Sequence, residues 1–486
     1  MLLSHIFFLP LRKTKIEEIF YKQLFMKNTI KLLMCAVMAL CFIGCTPDDE
    51  AAEKSTLNVA SKGNTLFVTW KAVAGAVYYE IQLNDEELKS TEETNCKFEN
   101  LTYGTTYKVI WKAIGAGDAV LTSDYKRITL KSPAYSEWVG IPAAFVMSSN
   151  GNWVGCGNDR NGAIIDLTTG NHVITENFEV WDITNDGVAV GCDYSITQDG
   201  VAAIYINGAS HPIDLSSITK NNMMSNITAI TADGTLAAGW YWNYDGDDAY
   251  YPSIYGQVIP FIYDVAKERV YVPEAGESPY PVDAMSIYDI APDGAILGLE
   301  QSIAMINTIW KSKNAVYEYV YFNHDNEYNP TIGMGEMGNR FSASGRYIYG
   351  KAQNYTGGTQ VDQPAIYDRE TGELHLFEGI GSVSAMTDDG IIFINDAPYG
   401  WGTTTYVTTI DKKSMADYVT LEEWLVKEHK IDVAKYAPMA DTDDENFIIL
   451  DGTITIGVSA NGRRILAITN TEYGWVTSVI DLDGAK

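Results

Sequence analysis

The sequence is short of positive charge. Across 486 residues, 34 Lys and Arg stand against 63 Asp and Glu, a formal net charge of −29. A surface of that sign repels phosphate backbones, which excludes nucleic acid as a partner. Histidine is scarce as well, with six residues scattered along the chain. No His-Glu-x-x-His pair, Gly-x-Ser-x-Gly elbow or phosphate-binding loop occurs. Cysteine is limited to Cys35, Cys41, Cys45, Cys96, Cys156 and Cys192. The last three are an odd number without metal-ligand spacing, which argues against a disulfide framework or a zinc site. Cys156 and Cys192 each follow the closing glycine of a repeated phrase, and are expected to be small buried apolar residues. No Arg-Gly-Asp adhesion loop is present. The longest apolar run, Leu32 to Ile43, is too short to favour a membrane-spanning helix.

What the chain does have is one phrase written seven times. An apolar run meets a tight turn, and a second apolar run closes on a small residue. The copies are Ser148–Gly155, Thr184–Gly191, Thr231–Gly239, Ile290–Gly298, Ser342–Gly350, Thr387–Phe393 and Ser459–Ala467. Each reads as a β-hairpin. Its turn carries Asp186, Asp233, Asp293 or Asp389 in four copies, but Asn150, Ser344 or Asn461 in the others. The shared property is turn chemistry, not charge. A third strand ending in an acid follows, as in Ala163–Asp166, Phe261–Asp264 and Ala365–Asp368. A fourth follows that, as in His172–Thr175, Arg269–Val272 and Glu373–Phe377.

Four strands per unit, with phrase glycines 36 to 72 residues apart, predict the blades of a β-propeller. Seven phrases predict seven blades, with six or eight left open. The last unit has strands at Ile465–Thr469 and Trp475–Leu482 but no fourth. Ser136–Ile141, just before the first phrase, is expected to supply it and close the ring. The fold class expected is all-β.

Ahead of the repeats, Lys27 and Lys31 precede the apolar run Leu32–Ile43, as in a secretory signal. Met26 is the expected true start. Phe42-Ile-Gly-Cys45 resembles the lipobox of bacterial lipoproteins, with Phe42 in place of the usual Leu. That resemblance implies cleavage before Cys45 and its lipidation. Thr46-Pro-Asp-Asp-Glu50 resembles the acidic export signal of surface lipoproteins in Bacteroidota-type bacteria. A lipid-anchored protein of the outer membrane, facing the exterior, is implied. The leader is then residues 1–45 and the tether 46–54, which extended reaches roughly 30 Å.

Residues 55–133 contain alternating runs at Leu66–Trp70, Val77–Leu83, Cys96–Leu101 and Tyr107–Ala113, separated by Gly, Asn and Asp turns. Short strands of this kind predict a β-sandwich. Leu101-Thr-Tyr-Gly-Thr-Thr-Tyr107 resembles the Leu-x-Pro-x-Thr-x-Tyr turn of fibronectin type III domains, with Tyr103 in place of Pro. The resemblance implies that Trp70 is the core Trp and Tyr107 the tyrosine corner. Residues 134–486 form the repeat domain, with a helical insertion near 414–430. There Leu421, Trp424, Leu425 and Val426 in Thr420–His429 follow helical spacing. Such phrases joined by a short helix resemble the HAF-repeat proteins of bacterial surfaces over roughly 350 residues.

In a propeller, the loops joining second to third strands emerge on one face. Here they carry aromatics: Tyr194, then Trp240, Tyr241, Trp242 and Tyr244, then Tyr355, Tyr399, Trp401 and Tyr473. Aromatic faces interleaved with Asn, Asp, Gly and Thr suit sugar recognition, because rings stack on pyranoses while polar groups bond hydroxyls. The same residues also suit packing of the loops onto neighbouring blades. No cofactor is expected. The one cation candidate is calcium at Asp245, Asp247 and Asp248, which lack a full ligand loop. Ser217-Ile-Thr-Lys220 and Ser123-Asp-Tyr-Lys126 fit Ser-x-x-Lys, a pattern frequent by chance. The sequence thus points to a non-enzymatic surface module binding polysaccharide or a surface protein. A carbohydrate-active hydrolase or lyase, and a structural part of an outer-membrane assembly, are the alternatives.

Overall fold

The computed structural model describes residues 57–86, 88–138, 140–158, 160–220, 224–242, 258–275, 284–301, 305–320, 340–356, 359–396, 404–433, 449–471 and 474–485. These belong to one compact unit, Leu57–Lys486, separate from Met1–Thr56. The leader, Met26, Cys45 and the tether lie outside the described residues. The described chain is all-β, built from many small antiparallel sheets.

Two sheets come first. Asn58–Lys62, Thr65–Thr69 and Asn95–Phe98 form one. Lys89–Thr91, Tyr78–Leu83, Thr106–Ile114 and Val120–Thr129 form the other. Alternation along each strand sends Leu66, Val68, Ile81, Leu83, Val109 and Trp111 into one shared core. Trp70 sits in that core, its ring centroid 5.3 Å from Tyr79 and 5.9 Å from Trp111. The Tyr107 hydroxyl accepts the Thr102 N–H at 2.8 Å.

Seven four-stranded sheets follow among the described residues, the third and fourth joined by a single parallel pair, Val258 with Ala284. Their first strands contain Val146, Asp182, Ala229, Asp289, Arg340, Ala385 and Gly457 respectively. Neighbouring sheets pack face to face, with an apolar cluster at every junction, including the first with the seventh. The seventh sheet takes its outer strand from Tyr135–Trp138, which pairs with Gly474–Asp481. Ile480 faces Tyr135 and Thr477 faces Trp138. The closing strand expected from Ser136–Ile141 is thus paired, but it begins one residue earlier, at Tyr135, and ends at Trp138. The Thr477 hydroxyl also accepts the Ala144 N–H at 2.9 Å, tying the last sheet to the first.

The repeated phrase is a turn of fixed construction. In all seven copies the glycine has φ between +66° and +90° (Gly462 and Gly390 at the extremes). Its N–H donates three residues back, for example Gly151 to Ser148 O at 2.8 Å and Gly234 to Thr231 O at 2.8 Å. The preceding residue supplies an acceptor oxygen. Asp233 Oδ1 takes the Thr235 N–H at 3.1 Å, and Asn461 Oδ1 takes the Arg463 N–H at 3.0 Å. Asp, Asn and Ser interchange there because an acceptor, not a charge, is required.

The phrase-closing glycine has a different reason. The first strands carry a bulge, such as Val180/Asp182 and Ile227/Ala229, which pushes a carbonyl towards the second strand. A Cβ on Gly191 would lie 1.8 Å from Glu179 O, and one on Gly239 would lie 1.9 Å from Asn226 O.

The Thr420–His429 segment of the insertion is helical after its cap, in two parts. Leu421–Trp424 is α-helical and Leu425–His429 a π turn, with Thr420 accepting the Glu423 N–H at 3.3 Å as N-cap. Leu421 and Leu425 are buried, but Val426 is 48% exposed. Cys156 and Cys192 are free and buried as expected.

The sandwich docks on the turn side of the ring. The Tyr103 N–H donates to Thr168 O at 2.7 Å, and Asn64 Nδ2 donates to Thr169 O at 2.7 Å. Thr168 and Thr169 lie in the turn between the third and fourth strands of the first ring sheet. The departure at Tyr103 thereby gains a purpose, since proline has no N–H to give. Tyr103→Pro should loosen the junction and leave both parts folded. Losing about 1 kcal/mol of hydrogen bonding predicts roughly fivefold faster tryptic cleavage after Lys131. Unchanged cleavage in limited proteolysis would show that this bond does not hold the junction.

Candidate functional site

Strand direction fixes two faces. Each first strand runs into its phrase turn, so the phrase turns and third-to-fourth turns share one face. The second-to-third loops share the other. The sandwich meets the first face, through Thr168 and Thr169, and among the described residues no hydrogen bond joins it to the loop face.

Among the loop-face candidates, Tyr194 is half-buried and donates its hydroxyl to Glu179 Oε2 at 3.1 Å. Burial and the neighbouring Cys192 and Glu179 push that hydroxyl's pKa up. The Arg160 guanidinium lies 5.5 Å from the Tyr194 ring centroid, bridging the first and second ring sheets. Trp240 and Trp242 stand half-buried on the strand Leu236–Trp242.

Tyr241 departs from its expected role. It is 1% exposed, packs in the core between sheets, and reaches Ile218 O with its hydroxyl at 3.4 Å. The period of two along a strand sends Trp240 and Trp242 one way and Tyr241 the other, so Tyr241 cannot meet a ligand. Tyr355 is also not in a loop: it pairs with Gln360 within the long hairpin Tyr347–Thr356 and Thr359–Asp368. Tyr244, Tyr399, Trp401, Tyr473, Asp245, Asp247 and Asp248 lie outside the described residues.

Sequence reasoning passed over Phe145, Trp181, Glu179 and Arg160. The Phe145 and Trp181 rings stack at 5.8 Å with planes 16° apart. Both stand three residues before a phrase opens, at Ser148 and Thr184. Reading that position across the repeats would have found the pair.

The axis holds a second concave feature. A cavity of about 120 Å³ is lined by first-strand residues of all seven ring sheets. Asp182, Asp289 and Arg340 project there from the same register, each five residues before the turn glycine of its phrase (Gly187, Gly294 and Gly345). Asp182 accepts the Ile183 N–H and the Ile230 N–H, both at 2.8 Å. Asp289 repeats this with Ile290 and Phe341, again at 2.8 Å. Each carboxylate therefore staples its own sheet to the next. Burial pushes the Asp182 carboxyl up to about 7, with Arg340 opposing and Asp289 adding to the rise. Asp289 is raised for the same leading reason. The volume corresponds to a few waters at about 30 Å³ each, below the 300 Å³ or more of typical small-molecule pockets. The axial acids thus act on the ring itself. Among the described residues, no cluster of three or more His, Cys, Asp or Glu is placed to hold a metal ion.

The molecule is of the class of all-β chains made from small antiparallel sheets. No family model and no curated protein matches it. Among solved structures, it is similar to a dihydro-heme d1 dehydrogenase, NirN, in complex with DHE, at 10% identity and TM-score 0.28, covering 86% of this chain and 74% of that one. It is also similar to an auxiliary nutrient binding protein from Bacteroides ovatus ATCC 8483, at 14% identity and TM-score 0.27, covering 74% and 96%. Likenesses this distant carry no argument about ligand or activity.

Proposed function

We propose that the chain is a non-enzymatic cell-surface lipoprotein whose seven-bladed β-propeller binds a glycan or a protein through its second-to-third-strand loop face. The observation that carries this reading is where the sandwich docks. It takes the turn face through Tyr103 and Asn64, the face opposite the aromatic loops. Seven sheets around one cavity, with a closing strand from before the first phrase, support the propeller. Sheets of three and four strands around Trp70, with Tyr107 bonded to Thr102, support a fibronectin type III-like spacer. Cys45 is the proposed lipid attachment site, at the outer membrane with the body outward.

Arg160, Tyr194 and Glu179 give this face a charged donor, an aromatic ring and an acceptor within one cross-sheet cluster. Such a set stacks on a sugar ring while bonding its hydroxyls. The chain from residue 47, incubated with a polysaccharide panel, is expected to bind without releasing product. Replacing Trp240, Trp242 and Trp401 together by alanine should weaken binding at least thirtyfold, the scale of about 2 kcal/mol for lost aromatic anchors. Product release would replace this reading with a hydrolase or lyase. Undiminished binding by the triple variant would move the site off this face.

A further inference from the structure

We propose that the axial cavity is a second ligand site, separate from the loop face, and that it takes a small zwitterion, glycine or alanine. The observation that carries this is an arginine without a partner. Asp182, Asp289 and Arg340 share one register position, held in the other ring sheets by Val146, Ala229, Ala385 and Gly457. An acid there staples its sheet to the next by accepting a backbone N–H. Arginine has only donors to offer, so Arg340 cannot repeat the staple. Among the described residues its guanidinium makes no hydrogen bond and no ion pair.

Tyr349 adds a second donor on the same side. It stands directly opposite Arg340 in the pairing of the first two strands of the fifth ring sheet, so both side chains lie on one face. Tyr349 is buried and lines the cavity, and its hydroxyl has no hydrogen-bond partner among the described residues. Burial pushes that hydroxyl's pKa up, so it remains a donor. The two signs of charge face one another without touching. Burial works against the Arg340 charge, but the fields of Asp289 and Asp182 outweigh it and raise its pKa. Neither carboxylate pairs with it directly. Arg340 and Asp289 are half-buried, so a water-sized molecule reaches both.

A gap between unpaired opposite charges selects its occupant. A bare anion would meet Arg340 but be repelled by Asp289 and Asp182. A bare cation would meet the acids but be repelled by Arg340. An α-amino acid satisfies both poles. Its carboxylate accepts from the Arg340 fork and the Tyr349 hydroxyl, and its ammonium donates to Asp289 and Asp182. Stapling does not exhaust those acids, because each carboxylate oxygen keeps a further lone pair beyond its backbone bond. The cavity's 120 Å³ equals about four waters at about 30 Å³ each, room for glycine or alanine but not for a large side chain.

The test is equilibrium dialysis of the full chain in detergent against radiolabelled glycine or alanine, with acetate, methylammonium and phenylalanine as competitors. At least one of the two amino acids should bind, at one equivalent per chain. Acetate and methylammonium each carry one pole and should compete about tenfold more weakly than unlabelled glycine, or worse. Phenylalanine should not compete. Arg340→Gln should abolish binding, with circular dichroism reporting whether that variant keeps its fold. Tyr349→Phe keeps the ring in the core and should weaken binding about tenfold, the scale of one hydrogen bond to a charged group. The proposal fails if neither amino acid binds, which would leave the cavity to water. It also fails if acetate or phenylalanine competes as well as glycine, or if Tyr349→Phe or a folded Arg340→Gln binds like the unaltered chain.

Discussion

Gly191→Ala is expected to destabilise the ring by about 3 kcal/mol or more. The new Cβ would meet Glu179 O at 1.8 Å. That carbonyl belongs to the backbone of a buried strand, and its position is set by the bulge between Val180 and Asp182. No side-chain rotation relieves the contact, so two paired strands must separate or the bulge must close. Overpacking of buried sites already costs about 1–3 kcal/mol when side chains can adjust. Gly239→Ala should behave alike, with Asn226 O at 1.9 Å. Gly457→Ala is the control. It also sits in a ring strand, yet a Cβ there would find nothing nearer than Leu466 Cβ at 3.7 Å. Urea unfolding should place Gly191→Ala and Gly239→Ala far below the unaltered chain and Gly457→Ala close to it. Equal effects at all three positions would sink the bulge explanation.

The repeats made much of this architecture legible. Period-two alternation and Gly turns located the hairpins, and counting phrases against available fourth strands pointed to Ser136–Ile141 as the closing strand. Two things were not legible. The bulges leave no composition signal, because residues as different as Trp181, Thr228 and Tyr288 occupy them. Their trace is the closing glycine, which reads from sequence as ordinary turn punctuation. The candidate site was legible only by loop assignment, and that assignment slipped where a strand ran longer than its apolar core. Tyr241 was placed in a loop, but the strand continues to Trp242 and its alternation turns Tyr241 inward. Tyr355 was misplaced for the same reason, because polar Gln353 and Asn354 extend the hairpin without apolar marking.

Asp182→Asn should remove a pH dependence of stability that the axial cavity creates. In the folded chain the Asp182 carboxyl titrates at about 7, against an ordinary 3.8. Between those values the folded state holds a proton that the unfolded state releases. The contribution is therefore fully present below pH 3.8 and is lost as pH rises through 7. The groups that set this value are Asp289 and Arg340, in the same cavity, and the backbone N–H groups of Ile183 and Ile230. An asparagine cannot titrate. It also cannot accept both backbone N–H groups with two oxygens, so it forfeits one staple at every pH, about 1–3 kcal/mol for the orphaned donor. The variant should thus be clearly weaker at pH 5, and the gap should narrow by up to about 3 kcal/mol towards pH 8, closing or reversing. Thermal unfolding of both proteins across pH 4 to 8 reads this directly. A constant gap would mean that Asp182 keeps its charge throughout and that Arg340 neutralises it within the ring.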